Sequence, residues 1–207
     1  MKLRVLFILI IVLFFAATGS LANQVDSEYA KTVLEREGYR PESINSIEEG
    51  VSDSLIAFQK VHGLPEKSGR LDEETKIALK YSRKPEAKKF TKGAHIEIDL
   101  SRQLLFLVDG GEVMYILHTS TGRADSTPRG NFSIYEKVTS GWVTAYSPQM
   151  KPQGQMYKPL KFHGPYYIHG SGSVPVYPAS LGCVRVEPRH MDFLHRMTSV
   201  GTKVFIY

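Results

Sequence analysis

The period of the apolar residues changes at Ala94, and this change divides the 207-residue chain into two parts of different class. From Asn23 to Ser82 apolar side chains recur at helical spacing. Asp26 or Ser27 is placed to cap a first helix that carries Tyr29, Val33 and Leu34 and stops at Gly38. A second helix is predicted from Ser52 to Val61, with Leu55, Phe58 and Val61 on one face, then His62 and a stop at Gly63. A third begins behind Asp72, another capping residue, and carries Thr75, Ile77, Ala78 and Leu79. Three short helices with so few large apolar side chains make a thin core. Alone, this segment reads as a spacer or stability module. Residues 83–93 are polar, contain Pro85 and lack periodic apolar positions, so they read as a linker with its basic residues in solvent.

Beyond Ala94 the pattern alternates. Ile96, Ile98 and Leu100 set against Glu97, Asp99 and Ser101 predict a half-buried strand. Leu104 to Val108 is a continuous apolar run. Asp109-Gly110-Gly111 is a hairpin turn, and Val113 to His118 returns from it. Ser120-Thr121-Gly122 ends that strand, and Thr127-Pro128-Arg129-Gly130 turns the chain toward Phe132 and Ile134. Tyr166 to Ile168 predicts a short strand ending at His169, and Lys203 to Tyr207 a terminal one. After Pro188, Met191, Leu194 and Met197 fall at helical spacing. Strands in succession with hairpin signals imply mostly antiparallel sheets in a sandwich or open barrel. The expected fold class is α+β, a three-helix module over 23–82 followed by a mostly-β, sandwich-like domain over 94–207. Between Lys137 and Gly164 the pattern lapses. Trp142, Tyr146, Met150, Met156, Tyr157 and Phe162 sit there among Pro148, Pro152, Gly154 and Pro159. A long aromatic stretch of this kind predicts an ordered flap or substrate wall.

The N-terminus reads as a targeting signal. Lys2 and Arg4 precede an apolar run from Val5 to Ala17, and small residues lead to Ala22. Residues 1–22 are expected to be a signal peptide, which places the protein outside the cytoplasm, in the periplasm or the cell wall. The run is short of the roughly 20 residues a membrane span needs. Membrane contact is expected only through this segment, if it stays uncleaved. The formal net charge of +5 falls to +3 when Lys2 and Arg4 leave with it. A mildly basic chain suits an anionic wall, and without a basic cluster it speaks against nucleic acid.

One cysteine means no internal disulfide. An exported chain that keeps an unpaired thiol carries an oxidation liability, which points to a thiol in use. Cys183 stands in Ser180-Leu181-Gly182-Cys183-Val184-Arg185, 14 residues after His169 in Ile168-His169-Gly170. Thiol and imidazole at this spacing can meet if the Gly-, Ser- and Pro-rich stretch between them loops out, and together they make a nucleophile and its base. An imidazolium or aligned N–H groups would lower the thiol pKa. Gly182 permits a sharp turn, so the N–H groups of Gly182 and Cys183 can face an oxyanion. Arg185 falls on the same side and can hold the motif or bind a substrate carboxylate. No acid in the motif orients His169, so a backbone carbonyl at Gly170 or Ser171 is expected to do so. His163-Gly164 is a second candidate pair, but it precedes the strand in a loop. His190 and His195 are five apart, His62 belongs to the helical part, and His95 and His118 lack a cysteine or acidic cluster. No metal set and no cofactor motif are expected.

Two family resemblances follow. Ser54 to Leu64 with Phe58-Gln59 and Gly63-Leu64, then Gly69-Arg70-Leu71-Asp72 and Thr75, resembles the peptidoglycan-binding-like three-helix domain. The span from His95 to Tyr207 resembles the YkuD-type L,D-transpeptidases. It does so through Ile98 to Asp109, Ser120-Thr121-Gly122, Thr127-Pro128 with Gly130 and Phe132, Ile168-His169-Gly170 and Ser180 to Arg185. That resemblance implies His169 as general base and acid and Cys183 as nucleophile, with Gly170, Ser180, Gly182 and Arg185 supporting. Leu181 stands where many relatives carry histidine. The implied reaction is ping-pong acyl transfer on peptidoglycan. Cys183 attacks the third residue of a tetrapeptide stem, D-Ala leaves, and a second stem's amine takes the acyl group in a 3→3 cross-link. Water as acceptor makes an L,D-carboxypeptidase instead, or a hydrolase that trims stems or releases wall-bound adducts with the same Cys/His site. The implied partners are stem peptides and glycan, with carbapenems as acylating inhibitors.

Overall fold

The structure is a computed structural model, and it describes residues 24–39, 52–146 and 152–207. The expected signal segment, Pro148 and Met150 lie outside the described residues. Residues 24–37 form helix α1, followed by α2 (Asp53–Val61) and α3 (Glu73–Tyr81). Asp72 caps α3 as expected, its Oδ1 accepting from the Thr75 N–H at 2.8 Å. Asp26 and Ser27 lie inside α1 rather than at its cap. Gln59 organises the module's turns. Its Oε1 accepts from the Gly69 N–H, and its Nε2 donates to Arg70 O and Thr75 Oγ1. Most of the motif residues quoted above therefore build the fold.

The strands are β1 (His95–Asp99), β2 (Leu104–Asp109), β3 (Glu112–His118), β4 (Gly130–Ser133), β5 (Glu136–Lys137), β6 (Trp142–Tyr146), β7 (Pro152–His163), β8 (Tyr166–Gly170), β9 (Val184–Val186) and β10 (Lys203–Ile206). Helix α4 spans Pro188–Met197. One sheet has the order β3-β2-β1-β10-β4. The other runs β5-β7-β8-β9, with β6 also paired to β7. Both are mixed, because β1 and β10 pair in parallel and so do β8 and β9.

The apolar run of β2 places the two parts of the chain. Leu105 and Leu107 point into a core between the sheets with Leu160, Ile168, Val184 and Leu194. Leu104, Phe106 and Val108 point the other way, into a second core with Leu34, Leu55, Phe58 and Leu79 of the helices. The helical segment thus shares its core with the sheet. Its thin complement of apolar side chains suffices because β2 and β3 supply the rest, at about 1.5–3 kcal/mol per buried large side chain.

Strand β1 departs from expectation in the same way. Its polar residues are covered, not solvated, and Glu97 is only 1 % exposed. The Glu97 carboxylate accepts from the Lys88 and Lys89 N–H groups and the Tyr207 hydroxyl, and His95 Nε2 lies 3.2 Å away. Residues 83–93 are thereby fastened over the outer face of β1. The stretch read as a flap or wall is also strand. It forms β6 and the long β7, and its prolines hid the alternation. Pro159 follows Lys158 (φ +43°) inside a bulge between Tyr157 and Leu160, where a missing N–H is tolerated. Met197, placed on the apolar stripe of α4, is exposed, while His190, Met191, Phe193 and Leu194 are buried.

Candidate active site

His169 sits in β8 and Cys183 immediately before β9. The parallel register sets His169 opposite Arg185 and Ile168 opposite Val184. Side chains alternate along both strands. Ile168, Val184 and Val186 therefore point into the core between the sheets, and Tyr167, His169, Cys183 and Arg185 share the opposite face. The chain between the two residues leaves β8, loops through residues 171–182 and re-enters at β9. The ladder thus brings together two side chains that are 14 residues apart.

The motif around the thiol is braced from within and from behind. Ser180 Oγ donates to Cys183 O at 2.6 Å and accepts from the Gly182 N–H at 3.0 Å. Of the two N–H groups expected to face an oxyanion, that of Gly182 is thus committed to Ser180. Gly182 has φ +130°, and a Cβ there would stand 2.3 Å from Tyr166 Cε1, so the turn requires glycine. Thr127 Oγ1 donates to Gly182 O and accepts from the Gly122 N–H. Ser120 exchanges two backbone hydrogen bonds with Arg185, and its Oγ donates to Tyr177 O. The N–H groups of Ala179 and Ser180 both reach Thr121 O. Ser120-Thr121-Gly122, read as a strand end, and Thr127-Pro128, read as a turn, are struts for the thiol loop. Leu181 is 59 % exposed.

His169 Nδ1 lies 3.0 Å from Gly170 O. A carbonyl only accepts, so Nδ1 carries the proton and Nε2 keeps its lone pair. Burial pulls the imidazole down from 6.5 to about 4; the Gly170 hydrogen bond opposes this, and the Arg185 guanidinium adds to it. Burial also raises the Cys183 thiol above its usual value, against a backbone hydrogen bond from Tyr167 and the Arg185 charge. At neutral pH the thiol and the imidazole thus both rest uncharged, with Cys183 Sγ 3.9 Å from Pro165 O. The imidazolium expected to lower the thiol is not the resting form. A neutral imidazole is suited to take the thiol proton as sulfur attacks. Arg185 is half-buried, and no carboxylate among the described residues pairs with it. Its charge favours an anion on this face.

The β6–β7 hairpin walls one side. Tyr157 pairs with Gly170, where a Cβ would stand 2.8 Å from Tyr157 Cβ, and Trp142 leans on the Tyr157 ring. His163 ends β7 on the surface, against Tyr166 and Phe132. No group of three or more His, Cys, Asp or Glu among the described residues can hold a metal.

The family profile of the YkuD L,D-transpeptidase catalytic domain matches residues 93–206. The chain belongs to that family. The crystal structure of an L,D-transpeptidase from Xylanimonas cellulosilytica is 32 % identical and superposes with a TM-score of 0.75. The match covers 86 % of this chain and 90 % of that one. A YkuD-type L,D-transpeptidase from Stackebrandtia nassauensis, at 22 % identity, TM-score 0.53 and 88 % and 90 % coverage, shares the fold. No curated protein matches. Membership makes the chain an enzyme of the L,D-transpeptidase class and places the shared-face cluster inside the matched domain.

One polar pair close to this L,D-transpeptidase site escaped the sequence reading. Lys60 of α2 and His118 at the end of β3 meet at 2.8 Å, and His118 Nε2 lies 2.8 Å from Val174 O in the loop before Cys183. The two residues are 58 apart; Lys60 falls within the Ser54–Leu64 stretch, but no spacing links it to His118.

Proposed function

We propose that this protein is a peptidoglycan L,D-transpeptidase that forms 3→3 cross-links through a thioester on Cys183. The observation that carries this reading is the placement of His169 and Cys183 on one face of the β8–β9 ladder within an L,D-transpeptidase catalytic domain. Cys183 Sγ attacks the carbonyl of the third stem residue while its proton passes to His169 Nε2. The tetrahedral intermediate collapses as His169 returns that proton to the leaving nitrogen, so D-Ala departs and the acyl group stays on sulfur. The side-chain amine of a second stem then attacks the thioester, giving its proton to His169. The new amide forms, and sulfur regains the proton. Arg185 is the cation available for a stem carboxylate. Ser180, Gly182 and Gly170 hold the thiol and imidazole in place through their hydrogen bonds and close packing.

The same chemistry makes Cys183 the site where carbapenems acylate. The helical segment and the N-terminal segment fit an exported enzyme held at the wall. Because the helices cover Leu104, Phe106 and Val108, wall binding is tested with the full chain by sedimentation with isolated sacculi. The reaction is tested by incubating the protein with disaccharide-tetrapeptide and separating products by mass spectrometry. Dimers linked 3→3 with equimolar D-Ala are expected. Tripeptide alone would instead make it an L,D-carboxypeptidase, and no D-Ala release would overturn the reading.

A further inference from the structure

The pair formed by Lys60 and His118 ties the helical segment to the loop that carries the thiol. Lys60 is 6 % exposed and His118 1 %. Lys60 Nζ reaches His118 Nδ1 at 2.8 Å, Gln103 O at 3.2 Å and Thr119 O at 3.5 Å. Val174 O can only accept, so His118 Nε2 must donate to it, at 2.8 Å, and Nδ1 keeps the lone pair that accepts from Lys60 Nζ. Both ring nitrogens are thus engaged.

Val174 lies near the middle of the 13 residues between His169 and Cys183. Toward β8 the loop is tied by Ser171 N–H to Val186 O, and toward β9 by Tyr177 O, Ala179 and Ser180 to Ser120 and Thr121. Between these ties, Ser173 bonds only within the loop, to Ser171. Among the described residues, His118 makes the one hydrogen bond that fastens residues 172–176 to the body of the fold.

A buried ammonium costs several kcal/mol of desolvation and is a poor device for stability alone. Lys60 makes no carboxylate contact within ion-pair distance among the described residues. The charges that face the pair are Asp53, on the same helix; Lys67, beyond it; and His190 of α4, itself near Asp53 and Glu187. Burial pulls the Lys60 amine down from 10.5 to about 7, and a desolvated amine held on three neutral acceptors, where an apolar side chain would pack, points to the geometry it enforces.

We propose that Lys60 and His118 are positioning residues for acyl transfer: Lys60, supplied by the helical segment, braces the His118 tautomer that holds the thiol loop at Val174. This rests on the acyl-transfer reading above and deepens it, because it makes the helical segment part of the frame of the site.

The test uses the full chain with disaccharide-tetrapeptide as substrate, together with hydrogen exchange over residues 171–182. Lys60→Met keeps the stem and removes the donors. His118→Leu removes both ring contacts, and His118→Gln keeps an N–H able to reach Val174 O. Lys60→Met and His118→Leu are expected to speed exchange in 171–182 and to lower kcat about ten- to a hundredfold, the scale of a misplaced reacting group, with KM little changed. His118→Gln is expected to recover most of both losses. Unchanged exchange in 171–182 in folded Lys60→Met would overturn the proposal, as would equal behaviour of the Gln and Leu variants. If the wild type fails to turn over the tetrapeptide, the acyl-transfer reading fails, while the exchange data still decide whether the pair holds the loop.

Discussion

His118 ends β3 and His169 stands one residue from the end of β8; both are buried, and burial pulls both imidazoles far below 6.5, to about 3 and about 4. They differ in what is left over. His169 spends one nitrogen on Gly170 O and keeps the lone pair of the other on the face it shares with Cys183. His118 spends both, one on Lys60 and one on Val174 O. Burial alone does not make a histidine a base. An unspent nitrogen beside a nucleophile does, and a histidine with both nitrogens occupied acts as a joint. The helices and the sheet meet at that joint, so the part of the chain that looks like an accessory reaches within one loop of the chemistry.

The sharpest way to break this contrast is at the thiol. Cys183→Ala is expected to reduce D-Ala release from tetrapeptide to background; sustained turnover would remove the nucleophile from the account. His169→Gln is expected to cost about 10²–10⁴ in kcat, the range for a general base, and a loss no larger than that of His118→Leu would erase the distinction between the two residues.

The pH profile sharpens the same point. His169 must be neutral to accept a proton, and its folded pKa is about 4. The acid limb of kcat/KM is expected near pH 4, and a limb near 6.5 would mean the imidazole is solvated. Stability follows with a definite sign. Unfolded, both histidines bind protons below about 6.5; folded, they refuse them until about 4 and about 3. Stability is therefore lost as pH falls from about 6.5 toward 4. Thermal unfolding at pH 7 and pH 5 checks this, and a higher melting temperature at pH 5 would contradict it.

Phe58→Ala has the smallest expected effect on chemistry. It opens the core shared with β2 and is expected to cost about 3–5 kcal/mol in one cooperative transition that includes the sheet. Two separated transitions would show that the helices fold apart from it.

What the sequence disclosed followed from local pattern. The helices, the β2–β3 hairpin, the Asp72 cap and the loop linking the His169 and Cys183 strands are all short-range consequences of spacing. What it hid was long-range. Glu97 and Asp99 look solvated because alternation says so, yet the nearby linker folds back through residues 88 and 89, and Tyr207 comes from 110 residues away, to cover Glu97. The Pro152–His163 strand was disguised by a bulge that accommodates Pro159. The use of the Gly182 N–H within the motif, the bracing by Thr127 and the neutral resting pair depend on burial and on atoms brought together only by folding. Lys60 and His118 carried no signal for each other, since neither residue type nor spacing marks a contact across 58 positions.

The most direct test of the central claim is rapid-quench mass spectrometry of the wild-type protein with tetrapeptide substrate, followed by digestion to locate the acyl group. A tripeptidyl thioester on Cys183 is predicted, formed with one equivalent of D-Ala and strongly slowed in His169→Gln. D-Ala release at an undiminished rate with the acyl group on another residue, or with no covalent adduct under any quench, would contradict it.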